Sequence, residues 1–398
     1  LLSLLTGCGD SPVELSAVSI TAANFSESET VSETSENEPT EPASETQTEA
    51  EKTVSAKVAR KLKKMNLQEK ICQMFIAAPE AVPGYSSMLY TDDWVETCYE
   101  EYPIGGFIYF ETNISYDQQL RDLLDRSQEM AMDKGIGVFQ SVDEEGGAIT
   151  RVQKMLWTDP VYDMSHYGKL NDFDKAYEAG RTIGGYLADY GFNVNFAPVA
   201  DVNINPSNEL GNRIFSSDPL VVSDMSAAVI KGLKSQKICT TLKHFPGLGA
   251  GDGNTHYNSV YIDRTYEQLE IEEFPAFKGG IEAGTDFVMV GHQITSASGD
   301  ELPGDLSPVV VTDWLRGEME FDGLIISDSH SMGAITNIYT SDEAAIMAVK
   351  AGVDIILMPY DLRTAVDGLK TAVNTGKVPL ERINESVTRI LEKKEEMG

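Results

Sequence analysis

The residues of this chain with the clearest chemical potential are a cation and an imidazole that stand side by side, Lys243 and His244. They end an apolar, β-branched run, and the turn-forming segment Phe245-Pro246-Gly247 follows at once. This order predicts a strand that delivers two polar side chains into a pocket before the chain turns into a loop. A second imidazole, His256, follows on that loop, although the whole chain has only 5 His.

Carboxylates follow two other apolar runs of the chain in the same way. Asp328 comes directly after Leu324-Ile325-Ile326-Ser327, and Asp143 follows the run Gly137–Val142. An Asp after a strand commonly caps the next helix. Held in an apolar wall, such a carboxylate can instead act as a nucleophile toward an anomeric carbon. The ionisable side chains at or near the ends of apolar runs are Asp143, Asp201, Lys243, His244, His292, Asp328 and Tyr360.

Eight short apolar runs supply these strand ends. They are Gln73–Ala77, Gly105–Phe110, Gly137–Val142, Asn193–Val199, Cys239–Lys243, Phe287–Val290, Gly323–Ser327 and Asp354–Met358. Segments with helical periodicity lie between many of them, namely Gln118–Lys134, Ala176–Tyr190, Asp224–Lys237, Tyr266–Ala283 and Asp342–Ala351. Eight alternating units predict an α/β fold, a (β/α)8 TIM-type barrel, in which the carboxyl ends of the strands surround one site.

A doubly wound open sheet is the alternative architecture. It is expected to carry a glycine-rich phosphate turn after an early strand. Here Gly105-Gly106 precedes its strand, and Gly146-Gly147 lacks the required spacing. The barrel is therefore preferred, and it predicts that the ionisable strand ends converge on one rim. At the start of the first helical segment, Asn66 and Glu69 have the spacing of a capping box.

Composition restricts the class of partner and the redox state. The chain has 398 residues, 41% of them hydrophobic, and a formal net charge of −32 at pH 7. Apolar content of this size suffices for a large core, whereas the negative charge argues against a nucleic-acid partner, whose phosphates require Lys and Arg. Three of the Cys, Cys72, Cys98 and Cys239, are expected to be small core residues rather than a disulfide framework.

The N-terminal residues differ in composition from the rest of the chain. Residues 1–9 resemble the end of a secretory signal with a lipobox, Leu5-Thr6-Gly7-Cys8, although the chain starts without Met or a basic segment. Residues 10–54 are rich in Ser, Thr, Pro and Glu and predict a disordered acidic linker. We therefore expect an exported protein that acyl chains on Cys8 anchor in the outer leaflet of the bacterial cell membrane. Residues 55–398 are expected to form a single catalytic domain, without a membrane-spanning helix.

Three motifs of this domain resemble those of glycoside hydrolase family 3, in its β-N-acetylhexosaminidase branch. They are Lys243–Gly247, Asp143–Gly147 and Ser327–Ala334, and the resemblance extends over roughly residues 56–398. It implies a retaining exo-β-N-acetylglucosaminidase that acts on cell-wall fragments or chitin-type oligosaccharides. By this resemblance, Asp328 of this chain would be the nucleophile that forms a covalent glycosyl-enzyme, and His256 would be the acid/base.

The same resemblance assigns the residues that bind the terminal sugar. They are Asp143, Arg151, Arg213, Lys243 and His244, with His292 as a strand-end histidine near the site. Glu145 is expected to be a structural partner of Arg151. No cofactor and no metal is implied, because the histidines lie on different strand ends without a close ligand pair. We expect a monomer whose partner is a glycan.

The acid/base loop departs from the family pattern. The family places an Asp two residues before the catalytic histidine, where this chain has Asn254, and Leu248 replaces another histidine. Asn can orient the imidazole of His256 but supplies no charge, so we expect a lower pKa for His256. Asp252, on the same glycine-rich loop, is a second candidate partner. Two other functions stay open: a β-N-acetylglucosaminide phosphorylase, and a lipid-anchored glycan-binding protein without catalysis.

Overall fold

The computed structural model describes residues 54–398 of the protein. The predicted signal segment, the lipobox with Cys8 and the acidic linker up to residue 53 lie outside the described residues. No helix within residues 54–398 is both long enough and apolar enough to cross a bilayer.

Within the described residues, eight parallel strands close into a barrel in the order β1-β10-β9-β7-β5-β4-β3-β2. The barrel strands are β1 (Phe75–Ala77), β2 (Gly106–Tyr109), β3 (Phe139–Val142), β4 (Val194–Asn195), β5 (Cys239–Phe245), β7 (Phe287–Val290), β9 (Leu324–Ser329) and β10 (Ile355–Leu357). Strands β6 (Tyr261–Ile262) and β8 (Ile294–Thr295) form a separate two-stranded parallel sheet. Because β1 pairs with both β2 and β10, the sheet has no edge. The predicted barrel is confirmed, and the alternative prediction of a doubly wound open sheet is wrong.

Helices cover the outside of the barrel. They are α1 (Ala56–Lys64), α2 (Leu67–Gln73), α3 (Asp93–Glu101), α4 (Asp117–Asp133), α5 (Val152–Leu156), α6 (Met164–Leu170), α7 (Phe173–Tyr190), α8 (Pro219–Ser235), α9 (Tyr266–Glu272), α10 (Phe274–Glu282), α11 (Gly333–Thr336), α12 (Ser341–Ala351), α13 (Leu362–Asn374) and α14 (Leu380–Met397). A π-helical segment, Val309–Glu318, precedes β9. The capping box of Asn66 and Glu69 is present at the start of α2, as predicted.

Two predicted elements differ from the structure, each because of a proline. The predicted strand Asn193–Val199 forms a regular ladder only over Val194–Asn195, since Pro198 has no N–H to donate. The predicted helix Tyr266–Ala283 is interrupted at Glu273, because Pro275 stands in the first turn of α10 and cannot continue the hydrogen bonds of α9. Neither change alters the order of the barrel strands.

The barrel interior and the helix layer are closely packed. Phe139 of β3 and Phe287 of β7 meet edge to face, with ring centroids 5.4 Å apart. The three cysteines expected in the core, Cys72, Cys98 and Cys239, are buried and unpaired. Outside the barrel, α7 packs against α8 so closely that a Cβ at Gly180 would lie 2.4 Å from the carbonyl oxygen of Val229. Gly180 is therefore required by close approach of the two helices.

This contact predicts opposite effects of the same substitution at two positions of α7. We expect Gly180→Ala to lower the free energy of unfolding by about 1–3 kcal/mol, because the added methyl group overpacks the helix contact. Gly185→Ala is the matched control: the nearest atom to its Cβ would be Gln236 Oε1 at 3.9 Å. We expect that control to raise the free energy of unfolding by about 0.5–1 kcal/mol, through helix propensity. Urea unfolding followed by circular dichroism measures both, and equal changes would contradict the packing argument.

Candidate active site

The carboxyl ends of β3, β5 and β9 open on one cavity of about 300 Å³. The sequence-predicted residues that line it are Asp143, Arg151, Arg213, Lys243, His244, His256 and Asp328. The expected convergence on one rim is therefore present in the fold. His292, Asn254, Asp252 and Tyr360 do not line this cavity, and Tyr360 is 76% exposed.

A network of buried charges forms one wall of the cavity, with Lys243 at its centre. Lys243 Nζ lies 2.8 Å from Asp143 Oδ1 and 2.6 Å from Glu145 Oε1. Glu145 also accepts two hydrogen bonds from the guanidinium of Arg213, both of 2.8 Å. Three separate segments of chain are joined in this way: the end of β3, the loop after β4 and the end of β5.

The predicted pairing of Glu145 with Arg151 is wrong. Glu145 points into the barrel, where its side chain is 2% exposed beside Lys243. Arg151 lies at the rim at the start of α5, and its Nη1 donates to Glu111 Oε1 at 3.0 Å. The difference arises because the turn after β3 places Glu145 and Arg151 in separate environments despite their short spacing.

The network keeps its charges at neutral pH. Burial by itself would raise the pKa of Glu145, but Arg213 and Lys243 hold it far below the ordinary value. Burial would likewise lower the pKa of Lys243, and Asp143 with Glu145 raises it above the usual range. The cavity wall thus offers fixed N–H donors and a carboxylate acceptor, an arrangement suited to the hydroxyl groups of a sugar.

His244 is oriented by a buried carboxylate, Asp201. Asp201 Oδ2 accepts from the backbone N–H of His244 at 3.0 Å and lies 2.7 Å from His244 Nδ1. Its Oδ1 accepts from the backbone N–H of Leu248 at 2.6 Å. Because an ionised carboxylate only accepts, Nδ1 carries the proton, and Nε2 is left to face the cavity. Asp201 therefore sets both the tautomer of His244 and the path of the turn that follows.

Asp328 occupies the end of β9, half-buried at the floor of the cavity. Its Oδ1 accepts from the backbone N–H of Ser329 at 2.7 Å. Burial raises the pKa of Asp328, but His292, His244, the Ser329 N–H and Lys243 together hold that pKa below its ordinary value. The carboxylate is therefore ionised at neutral pH, the form that a nucleophile requires.

His256 lies at the mouth of the cavity on the loop between β5 and β6, and its side chain is exposed. Its backbone carbonyl accepts from Gly333 N–H at 2.9 Å, and the carbonyl of Thr255 accepts from Ala334 N–H at 3.2 Å. Gly333 and Ala334 begin α11, the helix that follows Asp328. The loop with His256 is therefore attached directly to the segment with Asp328.

The two predicted partners of the His256 ring do not hold it. Asn254 Oδ1 accepts from the backbone N–H of His256 at 2.9 Å. The side-chain amide of Asn254 therefore caps the backbone turn instead of orienting the imidazole ring. Asp252 is exposed and outside the cavity. Leu248, which stands where the family has a histidine, packs with a small apolar cluster below the loop.

Sequence analysis missed a carboxylate that supports this loop, Glu209. Its Oε1 accepts from Thr255 N–H at 2.9 Å and from Thr255 Oγ1 at 2.8 Å, and Glu209 lines the same cavity. The available signal was its place four residues before Arg213, in a segment already assigned to the site. Its contact with a residue 46 positions away could be found only in the fold.

The prediction that His292 contacts the sugar is corrected by its burial. Its side chain is 0% exposed, behind the cavity wall. His292 Nδ1 lies 2.9 Å from Asp305 Oδ1, and His292 Nε2 lies 2.9 Å from the carbonyl oxygen of Ser329. Asp305 also contacts His330, a residue left unassigned by sequence, with Oδ2 2.7 Å from His330 Nε2. This cluster is linked to Asp328 through Ser329, whose N–H donates to Asp328 Oδ1.

A family model described as Glycosyl hydrolase family 3 N terminal domain matches residues 66–393. The chain is 30% identical to beta-hexosaminidase A of Pseudoalteromonas piscicida over 316 residues, which are 73% of this chain and 53% of that protein. It is also 30% identical to a beta-hexosaminidase of Hydrogenovibrio crunogenus over 283 residues, 70% of this chain and 77% of that protein. The chain thus spans about half the length of the first relative.

A solved structure is similar to the same part of the chain. The glycoside hydrolase family 3 beta-N-acetylglucosaminidase from Paenibacillus sp. aligns with a TM-score of 0.79 and 31% sequence identity. The alignment covers 84% of this chain and 63% of that chain.

The buried network predicts a large stability cost for one neutralised carboxylate. We expect Glu145→Gln to lower the free energy of unfolding by about 3–5 kcal/mol, because it leaves Lys243 and Arg213 buried with too little negative charge. Glu111→Gln, which removes the partly exposed partner of Arg151, is the control and should cost less than about 1 kcal/mol. Urea unfolding at pH 7 compares the two, and similar costs would contradict the central place of Glu145.

The difference in the free energy of unfolding between the wild type and Glu145→Gln is expected to depend on pH. The folded-state pKa of Glu145 lies below its ordinary value of about 4.3. Its contribution is therefore complete above about pH 5 and is lost progressively as the pH falls. The stability difference between wild type and Glu145→Gln should be constant from pH 8 to 5 and shrink below pH 5. A difference that grows on acidification would contradict the lowered pKa.

Proposed function

This chain belongs to glycosyl hydrolase family 3, and on that premise we propose that it is a retaining exo-β-N-acetylglucosaminidase. The observation that carries the proposal is one cavity lined by the carboxylate of Asp328, whose pKa is lowered, by the imidazole of His256 and by the network centred on Lys243. A retaining glycosidase requires a nucleophile and an acid/base on the two sides of the scissile bond. Asp328 and His256 are the residues of this cavity that fit those two roles.

The first chemical step forms a bond between an Asp328 oxygen and the anomeric carbon. The bond from that carbon to the leaving oxygen breaks, and the imidazolium of His256 gives its proton to the leaving oxygen. In the second step a water oxygen attacks the anomeric carbon, His256 takes the proton of that water, and the Asp328 carboxylate is released. Two displacements at one carbon retain the β configuration.

The residues around Lys243 fit the terminal sugar. Asp143 can accept hydrogen bonds from two hydroxyl groups, Arg213 and Arg151 supply donors around it, and Nε2 of His244 supplies an acceptor. A cavity of about 300 Å³ is at the small end of the range for ligand sites. This size suits a single terminal ring and therefore exo action.

The substrate class rests on the relatives. The similar proteins carry the names beta-hexosaminidase and beta-N-acetylglucosaminidase, which favours terminal N-acetyl-β-D-glucosamine on cell-wall fragments or chitin-type oligosaccharides. An outer-leaflet lipid anchor at Cys8 stays part of the proposal, since it would bring the domain close to such polymers.

An assay of two aryl glycosides tests the activity and its specificity. We expect turnover of 4-nitrophenyl N-acetyl-β-glucosaminide well above that of the plain 4-nitrophenyl β-glucoside, with the β-anomer as the first product seen by NMR. Asp328→Ala should lower kcat by at least about 1000-fold, because no covalent intermediate can form. Binding of N-acetylglucosamine without turnover would point to a glycan-binding protein, and a rate that requires inorganic phosphate would point to a phosphorylase.

The role of His256 has its own test, in the dependence on the leaving group. His256→Ala should lower kcat/KM strongly for a glycoside with a poor leaving group, such as a disaccharide, by about 100-fold or more. For the 4-nitrophenyl glycoside, whose leaving group needs little protonation, the loss should be much smaller.

Asp252→Ala serves as the control for the His256 loop, because its side chain lies on the same loop but outside the cavity. Equal losses on both substrates in His256→Ala would remove His256 from the acid role. If Asp252→Ala lowered kcat/KM as much as His256→Ala does, Asp252 would be the partner of His256.

A further inference from the structure

His292 is bonded on both ring nitrogens to groups that accept hydrogen bonds. Nδ1 faces Asp305 Oδ1 at 2.9 Å, and Nε2 faces the carbonyl oxygen of Ser329 at 2.9 Å. A neutral imidazole has only one N–H, whereas an imidazolium has two. A neutral His292 would therefore direct a lone pair at one of two acceptors inside the protein. The geometry requires the doubly protonated form as long as Asp305 is ionised.

Asp305 has the environment of an ionised carboxylate. Each of its oxygens faces an imidazole, His292 on Oδ1 and His330 on Oδ2. Burial raises the pKa of Asp305, but His292 and then His330 lower it to about 2. His330 donates from Nε2, while its Nδ1 is buried without a hydrogen-bond partner among the described residues. A proton on that nitrogen would have no acceptor among the described residues.

Two charged groups act on His292. Asp305, which also contacts His330, is one of them, and Asp328, whose carboxylate Lys243 and His244 also influence, is the other. Tyr339 lies behind Asp305, where burial and that carboxylate raise the pKa of its hydroxyl. Burial alone would lower the pKa of His292, but Asp305 and Asp328 raise it to about 9. The raised pKa and the two hydrogen bonds of the ring therefore both indicate a protonated His292.

The cation of His292 is coupled to Asp328 through one residue, Ser329. His292 holds the carbonyl of Ser329, and the N–H of Ser329 donates to Asp328 Oδ1 at 2.7 Å. We propose that His292 is a positioning residue, kept protonated by Asp305, which fixes the residue after the nucleophile and stabilises Asp328 as a free carboxylate. Its effect on turnover rests on the proposed glycosidase activity, whereas its charge state does not.

A fixed cation at this place favours the second chemical step. When water attacks the glycosyl-enzyme, the bond between the anomeric carbon and Asp328 breaks, and its electron pair returns to Asp328 as negative charge. Asp305 and His292 form a neutral pair while the ester exists, and the cation is ready to stabilise the carboxylate as it leaves. The same charge keeps Asp328 ionised in the free enzyme on the acid side of neutrality.

The charge state is tested without any turnover. In protein labelled with ¹⁵N-histidine, His292 should show two protonated ring nitrogens at pH 7, and this signal should disappear only near pH 9. The chain has 5 His, so the signal is assigned by its absence in His292→Gln and its presence in His166→Gln. A neutral His292 at pH 7 would overturn the proposal, whether or not the protein is an active glycosidase.

The positioning role is tested by steady-state kinetics over pH in the full chain. His292→Gln keeps a polar side chain of similar reach and removes the charge. We expect the acid limb of kcat/KM to move up by about one pH unit. On the 4-nitrophenyl glycoside, kcat and KM should fall together by up to about tenfold, because the glycosyl-enzyme accumulates when release of Asp328 slows.

The outcomes separate this proposal from the proposed function. His166→Gln, in α6 and outside the cavity, should keep the wild-type pH profile. The positioning role would be overturned if a folded His292→Gln protein kept the acid limb, the kcat and the KM of the wild type. A rise of KM with no change in the acid limb would mean that His292 only supports the fold. Wild-type protein without turnover would refute the glycosidase, with the NMR result still deciding the charge state.

Discussion

The site depends on the burial of the Lys243 ammonium group between two carboxylates. An unpaired ammonium at this depth would be neutral or would unfold the barrel, since removal of a charge from water costs several kcal/mol. Asp143 and Glu145 offset that cost, and Arg213 balances Glu145 in turn. One electrostatic requirement thus fixes the relative positions of three segments, the end of β3, the loop after β4 and the end of β5. The same groups then present hydrogen-bonding atoms that need no reorganisation when a ligand with hydroxyl groups binds.

The imidazoles inside the barrel follow the same rule with other carboxylates. Asp201 orients His244, and Asp305 holds His292 together with His330. Each of these three buried histidines therefore has a ring orientation that a buried carboxylate fixes. His256 differs, because its ring is exposed and the fold holds only the backbone of its loop. An acid/base must exchange its proton with the leaving group and with water, which requires access to both.

The loop with His256 shows how the chain compensates for its departures from the family pattern. Asn254 retains a capping role for the turn, and Leu248 adds apolar packing below it. Glu209 accepts two hydrogen bonds from Thr255, and the first turn of α11 donates two backbone hydrogen bonds to the carbonyl groups of the loop. The position of His256 relative to Asp328 is thereby fixed through main-chain contacts.

The sequence alone predicted the barrel, because strand and helix patterns are local and the glycine-rich turn expected of a doubly wound sheet is missing. It also identified Asp143, Lys243 and Asp328, since the end of an apolar run marks the end of a strand. The tertiary structure decided which charges meet. Glu145 pairs with Arg213, 68 positions away, instead of the nearer Arg151, and His292 lies behind the cavity instead of in it. Such pairings depend on the paths of loops and on the burial of each atom, and neither is encoded in the spacing of residues along the chain.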